Sequence, residues 1–64
     1  MLSNYPEILT PKDLIEILNL SRNTVYDMLR NSIIPSYKVG NGKIWRINKD
    51  DLIDYLKTNN NNYW

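Results

Sequence analysis

The run Ser21-Arg22-Asn23-Thr24-Val25-Tyr26 gathers side chains suited to recognition chemistry. The Arg22 guanidinium is a planar fork of donors. It can take guanine O6 and N7 together, grip a phosphate, or stand as a solvated charge. Asn23 suits adenine or a phosphate, or simply extends a cap. Tyr26 lies one helical turn past Arg22, where its hydroxyl can meet a phosphate or its ring can pack on a neighbouring hairpin. Ser21 is first a cap, and its hydroxyl can also face a phosphate. Arg30 follows on the same side, as a backbone contact or as an ion pair with Asp27. Further along, Lys43 sits beside the bare Gly40-Asn41-Gly42 tip, Arg46 is expected to point outward toward a phosphate, and Lys38 is a further cationic candidate. Trp45 reads as core before it reads as a stacking platform. Covalent chemistry has little to work with. The chain has no Cys and no His, which removes the usual zinc ligand sets and the Ser-His and Cys-His pairs. Its carboxylates are scattered, so no enzyme is expected, and no cofactor or metal.

These residues need elements to hold them. Thr10-Pro11-Lys12-Asp13 reads as a helix start: a Thr cap, a Pro at the first helical position and an acid that reaches back to the cap. Leu14, Ile17 and Leu18 then share one face, with Ile15 beside it. Thr10 and Lys12 can also touch a nucleic-acid backbone, although capping explains Thr10 sufficiently. Asn19-Leu20 breaks this helix. Asn tolerates a left-handed cap, and Leu20 is expected to plug the corner between two helices. Ser21 caps a second helix running to about Asn31, with Val25, Met28, Leu29 and Ile33 as its apolar positions. Two short helices joined this tightly match a helix-turn-helix unit. Pro35 disfavours helix in the residue before it.

Tyr37 to Val39 and Ile44 to Ile47 alternate, with Asn41-Gly42 between them as a hairpin signal. A two-residue loop puts Val39 and Ile44 on one face. A three-residue loop groups Tyr37, Val39, Trp45 and Ile47 and leaves Lys38, Ile44 and Arg46 outward. The second is the expectation, because it buries Trp45. Asn48-Lys49-Asp50-Asp51 opens a third helix, with Leu52, Tyr55 and Leu56 on one face and an end near Lys57 or Thr58. Residues 1–9 form an arm expected to run extended over the core. Residues 10–57 form the domain, and residues 58–64 a polar tail whose Tyr63 and Trp64 can stick to the body or to a neighbour. The fold class expected is α+β, mostly helical: three short helices, and one two-stranded hairpin between the second and third.

Length and charge narrow the function. At 64 residues one domain is the sensible count, with stability of only about 3–5 kcal/mol. No stretch approaches the ~20 apolar residues of a membrane span, and residues 1–10 lack the pattern of a signal peptide. A soluble, cytoplasmic protein is expected. The net charge of +1 conceals a strong asymmetry. Residues 1–19 carry Lys12 against Glu7, Asp13 and Glu16, a net of −2. Residues 20–49 carry Arg22, Arg30, Lys38, Lys43, Arg46 and Lys49 against Asp27 alone, a net of +5. Residues 50–64 carry Lys57 against Asp50, Asp51 and Asp54, a net of −2. A basic middle between acidic ends suits a surface that faces a polyanion, and chance clustering on a salt-bridged surface is the plainer account.

The segments Leu9 to Leu18, Ser21 to Tyr26, Ile34-Pro35, Lys38-Val39-Gly40, Trp45-Arg46-Ile47, Asp51-Leu52 and Tyr55-Leu56 together resemble the excisionase-type, MerR-like winged helix-turn-helix domain of small proteins from phages, transposons and integrative elements. The resemblance covers about residues 8–57. It implies that the second helix enters the major groove of duplex DNA, while the hairpin wing lies on the backbone or in the adjacent minor groove. It also implies one of two jobs. The first is a recombination directionality factor that binds near an attachment site, bends DNA and helps a tyrosine-type integrase excise the element. The second is a small transcriptional regulator. A MerR-type regulator adds a long dimerisation helix and an effector domain. These residues hold neither, so ligand sensing is not expected.

About five phosphate-neutralising side chains correspond to a log–log salt slope of roughly −4.5. A single module buries about 600–1,000 Å² on DNA. Modest affinity from one copy follows, with a monomer in solution and useful occupancy through cooperative binding at adjacent sites. A module that offers its basic face to an acidic protein is the reading from a different class. Salt-sensitive binding to random duplex separates it from the DNA readings.

Overall fold

Two local devices at Thr10 start the first helix. In the computed structural model, which describes residues 2–59, the Thr10 hydroxyl accepts from the Asp13 amide at 3.3 Å, and the Asp13 carboxylate accepts from the Thr10 amide at 3.0 Å. This reciprocal box leads into α1, Pro11–Leu18. Asn19 ends α1 in the left-handed region, at φ 56° and ψ 45°. Ser21 then caps α2, Arg22–Arg30, by accepting from the Thr24 amide at 3.2 Å. Leu20 does not plug the corner: it is 37% exposed. The left-handed Asn19 turns the chain, and the interhelical space is filled by Leu14, Val25 and Leu29 instead.

α2 stops well before Pro35. The Ser32 amide donates to Leu29 O at 3.2 Å and the Ile33 amide to Met28 O at 2.9 Å, with Ser32 at φ 57°. This is a Schellman ending in which Ser32 holds the position that glycine usually takes. Ile33, expected on the apolar face of α2, is 50% exposed, whereas Ile34 is fully buried. The left-handed residue resets the direction of the chain, so helical spacing no longer says which isoleucine faces inward.

Three strands follow from the remaining apolar runs: β1 at Ile8–Leu9, β2 at Tyr37–Val39 and β3 at Ile44–Asn48. They form one antiparallel sheet in the order β1-β3-β2. The arm is therefore a strand at its inner end, with Leu9 opposite Ile47 and Ile8 opposite Asn48. It is fastened further by Lys49, whose amide donates to Glu7 O at 2.8 Å and whose ammonium donates to Tyr5 O at 3.0 Å.

The hairpin register differs from the expected one. Gly40, Asn41 and Gly42 all have positive φ (61°, 63° and 75°), and the Lys43 amide donates to both Val39 O and Gly40 O. Three successive left-handed residues close a four-residue loop, so Val39 pairs with Ile44, Lys38 with Trp45 and Tyr37 with Arg46. Tyr37, Val39, Ile44 and Arg46 consequently share the outer face. Lys38, not Tyr37 or Val39, shares the inner face with Trp45 and Ile47. Trp45 is still half-buried against the core.

α3, Lys49–Asn59, packs on that inner face through Leu52 and Leu56. The core is Leu9, Leu14, Val25, Leu29, Ile34, Ile47, Leu52 and Leu56. Among the described residues no buried side chain is polar or charged. The expectation for Tyr63 and Trp64 lies outside the described residues.

Candidate nucleic-acid interface

Val25 and Leu29 anchor α2 to the core, which puts Asn23, Asp27 and Arg30 on its far side, while Tyr26 lies on the flank and Arg22 is exposed as the first residue of the helix. Ser21, Arg22, Asn23, Asp27 and Arg30 are exposed, and Tyr26 is half-buried. The Arg22 guanidinium carbon lies 5.3 Å from the centre of the Tyr26 ring. Tyr26 thus supports Arg22 by a cation–π contact, which narrows the directions a long, flexible side chain samples. Ser21 Oγ serves the cap and also lies 2.9 Å from Thr24 Oγ1. The Ser-x-x-Thr spacing therefore places two hydroxyls together at the amino end of α2. Thr24 is not among the residues expected to meet DNA, and its spacing from Ser21 is the signal that marks it. Arg30 is ion-paired with Asp27, one turn back on the same helix. Asn31 adds a side-chain amide that donates to Asp27 O at 2.9 Å.

The hairpin offers its cations in three directions. Lys43 is exposed beside the glycine-flanked tip. Lys38 holds its ammonium 4.6 Å from the Trp45 ring centre on the inner face. Arg46 lies on the outer face with Tyr37 and Ile44, half-buried, and its Nη1 donates to its neighbour's carbonyl, Trp45 O, at 2.8 Å. Lys38 and Arg46, expected to face outward together, are on opposite faces because the register places Lys38 across from Trp45. The structure thus joins Arg22 with Tyr26, Ser21 with Thr24, Arg30 with Asp27, and Lys38 with Trp45.

The chain thus builds a two-helix unit with a left-handed Asn turn and a serine-capped second helix, followed by a hairpin. Residues 8–60 match the family model of the helix-turn-helix domain. The chain belongs to that family. No curated protein and no solved structure matches the chain. Membership makes this helix-turn-helix domain a DNA-binding module, with α2 in the position of the second helix of the unit.

The rest of the helix-turn-helix domain's surface offers less. Among the described residues no three His, Cys, Asp or Glu side chains come together as metal ligands, and no helix is long and apolar enough to cross a membrane. A shallow groove of about 310 Å³ is lined by Ile33, Pro35, Asp51, Asp54, Tyr55 and Thr58. It joins exposed apolar surface to carboxylates on the flank of α3.

Proposed function

We propose that this domain binds duplex DNA sequence-specifically as an excisionase-type recombination directionality factor. Copies bind side by side at the attachment site of a mobile element and bend it for a tyrosine-type integrase. The observation that carries the DNA reading is Arg22 supported on Tyr26 at the serine-capped start of an exposed helix. Backbone amides open the helix there, and the Arg22 fork rests one turn along against Tyr26, so the same end of α2 can offer donors to a phosphate and to a base edge. In this reading α2 lies in the major groove with Arg22, Asn23, Tyr26 and Arg30 toward DNA and Ser21 near a phosphate. The glycine-flanked tip brings Lys43 to the backbone, and Lys38 and Arg46 add positive potential along the wing. The excisionase assignment rests on the sequence resemblance of residues 8–57.

Side-by-side binding is supported by two surfaces. The outer sheet face exposes Ile8, Tyr37, Val39 and Ile44 beside Arg46. The groove on α3 exposes Ile33 beside Asp51 and Asp54. α3 packs on the inner side of the sheet, so its outward residues face away from the outer sheet face. One face is apolar and cationic and the other apolar and anionic, which suits contacts that propagate along a duplex.

Footprinting on the element's ends, repeated across a salt series, tests the reading. The expected result is protection of adjacent sites, with a bend, and a log–log slope near about −4.5. Binding indifferent to duplex at low salt would end it. Protection of a promoter and not of the attachment site would replace excision with transcriptional regulation.

A further inference from the structure

We infer that Asp27 is a specificity-determining residue, which works with Arg30 to select a G·C pair. The inference rests on the DNA reading above. Asp27 is the sole carboxylate between residues 20 and 49. With Val25 and Leu29 pointing inward, 100° per residue puts Asp27 almost directly opposite them, with Asn23 one turn before it and Arg30 one turn after it along the helix. Its side chain is 63% exposed and that of Arg30 57% exposed, and the two are ion-paired. The most outward point of the face that meets a polyanion therefore carries a negative charge.

That charge opposes general affinity. It is repelled by phosphates and it occupies an arginine that would otherwise neutralise one. In the major groove it is also repelled by the acceptors of guanine, adenine and thymine edges. It has one kind of favourable partner there, an exocyclic amino group. The adenine amino group lies beside the acceptor N7, whereas the cytosine amino group has no neighbouring acceptor on its own edge. Cytosine is thus the base that Asp27 favours. The Arg30 guanidinium, held next to it, presents the donors that guanine O6 and N7 accept. Acceptor and donor side by side complement the two bases of one G·C pair. Asp27 acts by accepting from cytosine, by orienting Arg30, and by penalising sites that lack the amino group.

The experiment selects sites from randomised duplexes with the full chain, comparing wild type with Asp27→Asn and Asp27→Ala. Affinity for random duplex is followed across a salt series, and far-UV circular dichroism confirms that each variant folds. Wild type is expected to select a G·C pair at one position, and both variants are expected to lose roughly tenfold of that preference. Arg30, released, is expected to tighten random-duplex binding several-fold and to steepen the salt slope by about 0.9. Variants with unchanged preference and slope would make Asp27 only half of a surface ion pair and overturn the inference while leaving DNA binding intact. A wild type that binds no duplex would overturn the reading beneath it.

Discussion

Arg22 shows how a single side chain gains direction from its neighbours. An exposed arginine loses much rotamer entropy on meeting a base, and the Tyr26 ring at 5.3 Å removes part of that loss beforehand. Arg22→Ala is expected to relax site preference by roughly tenfold or more in competition against random duplex. Arg22→Lys is not expected to restore it, because an ammonium keeps the charge and loses the planar fork. A lysine variant with full preference would show that Arg22 contributes charge alone. The caps were legible at this scale: Thr10, Asn19 and Ser21 each stand where their hydrogen-bonding and backbone preferences put them. The bearing of Lys38 was not, since it follows from the strand register and not from residue type, whereas Arg46 lies on the outer face as expected.

Among the elements, the end of α2 is where local preference and tertiary structure disagree. Ser32 holds φ 57°, a conformation costly for a residue with a Cβ. Ser32→Gly is expected to raise unfolding stability by up to about 1 kcal/mol, read as a higher urea midpoint at unchanged slope. The arm gives a pH-dependent counterpart. The Tyr5 hydroxyl donates to Glu16 Oε1 at 3.3 Å, and burial together with the Glu16 carboxylate raises its pKa above the usual 10. The hydroxyl is protonated in the favoured form, so its contribution is complete below about pH 10 and is lost as pH rises through the raised value. The stability difference between wild type and Tyr5→Phe should therefore move against wild type only above about pH 10. Helices were readable because their caps and spacing agree. Strand β1 was not, since Ile8 and Leu9 are too short to show alternation. The hairpin loop was ambiguous because Gly-Asn-Gly accepts positive φ at every position and so can close in more than one length.

For the molecule as a whole, eight aliphatic side chains form the core, and one comes from the α2–β2 connection. A domain this small holds little stability in reserve, about 3–5 kcal/mol. Leu29→Ala, at a site 1% exposed, is expected to cost about 2–5 kcal/mol, which lowers the thermal midpoint followed by circular dichroism and, at the upper end of that range, unfolds the chain at 25 °C. Exposed changes at Asp27 or Arg22 should leave the same spectrum intact. The division of charge into acidic ends and a basic middle was visible along the chain. Its placement on separate faces was not, because that depends on α3 and the outer sheet face lying on opposite sides.

The strand order leaves β2 at the margin of the sheet, with β3 on one side of it. Its outer side chains Tyr37 and Val39 are apolar and more than a third exposed. A margin of that kind is a template for adding a strand from another molecule, the first step toward cross-β aggregation. Strand length, three residues, and the charge of Lys38 are the features that oppose it. Replacing Lys38 with Val should make a concentrated solution bind thioflavin T and scatter light under conditions where the wild type stays clear.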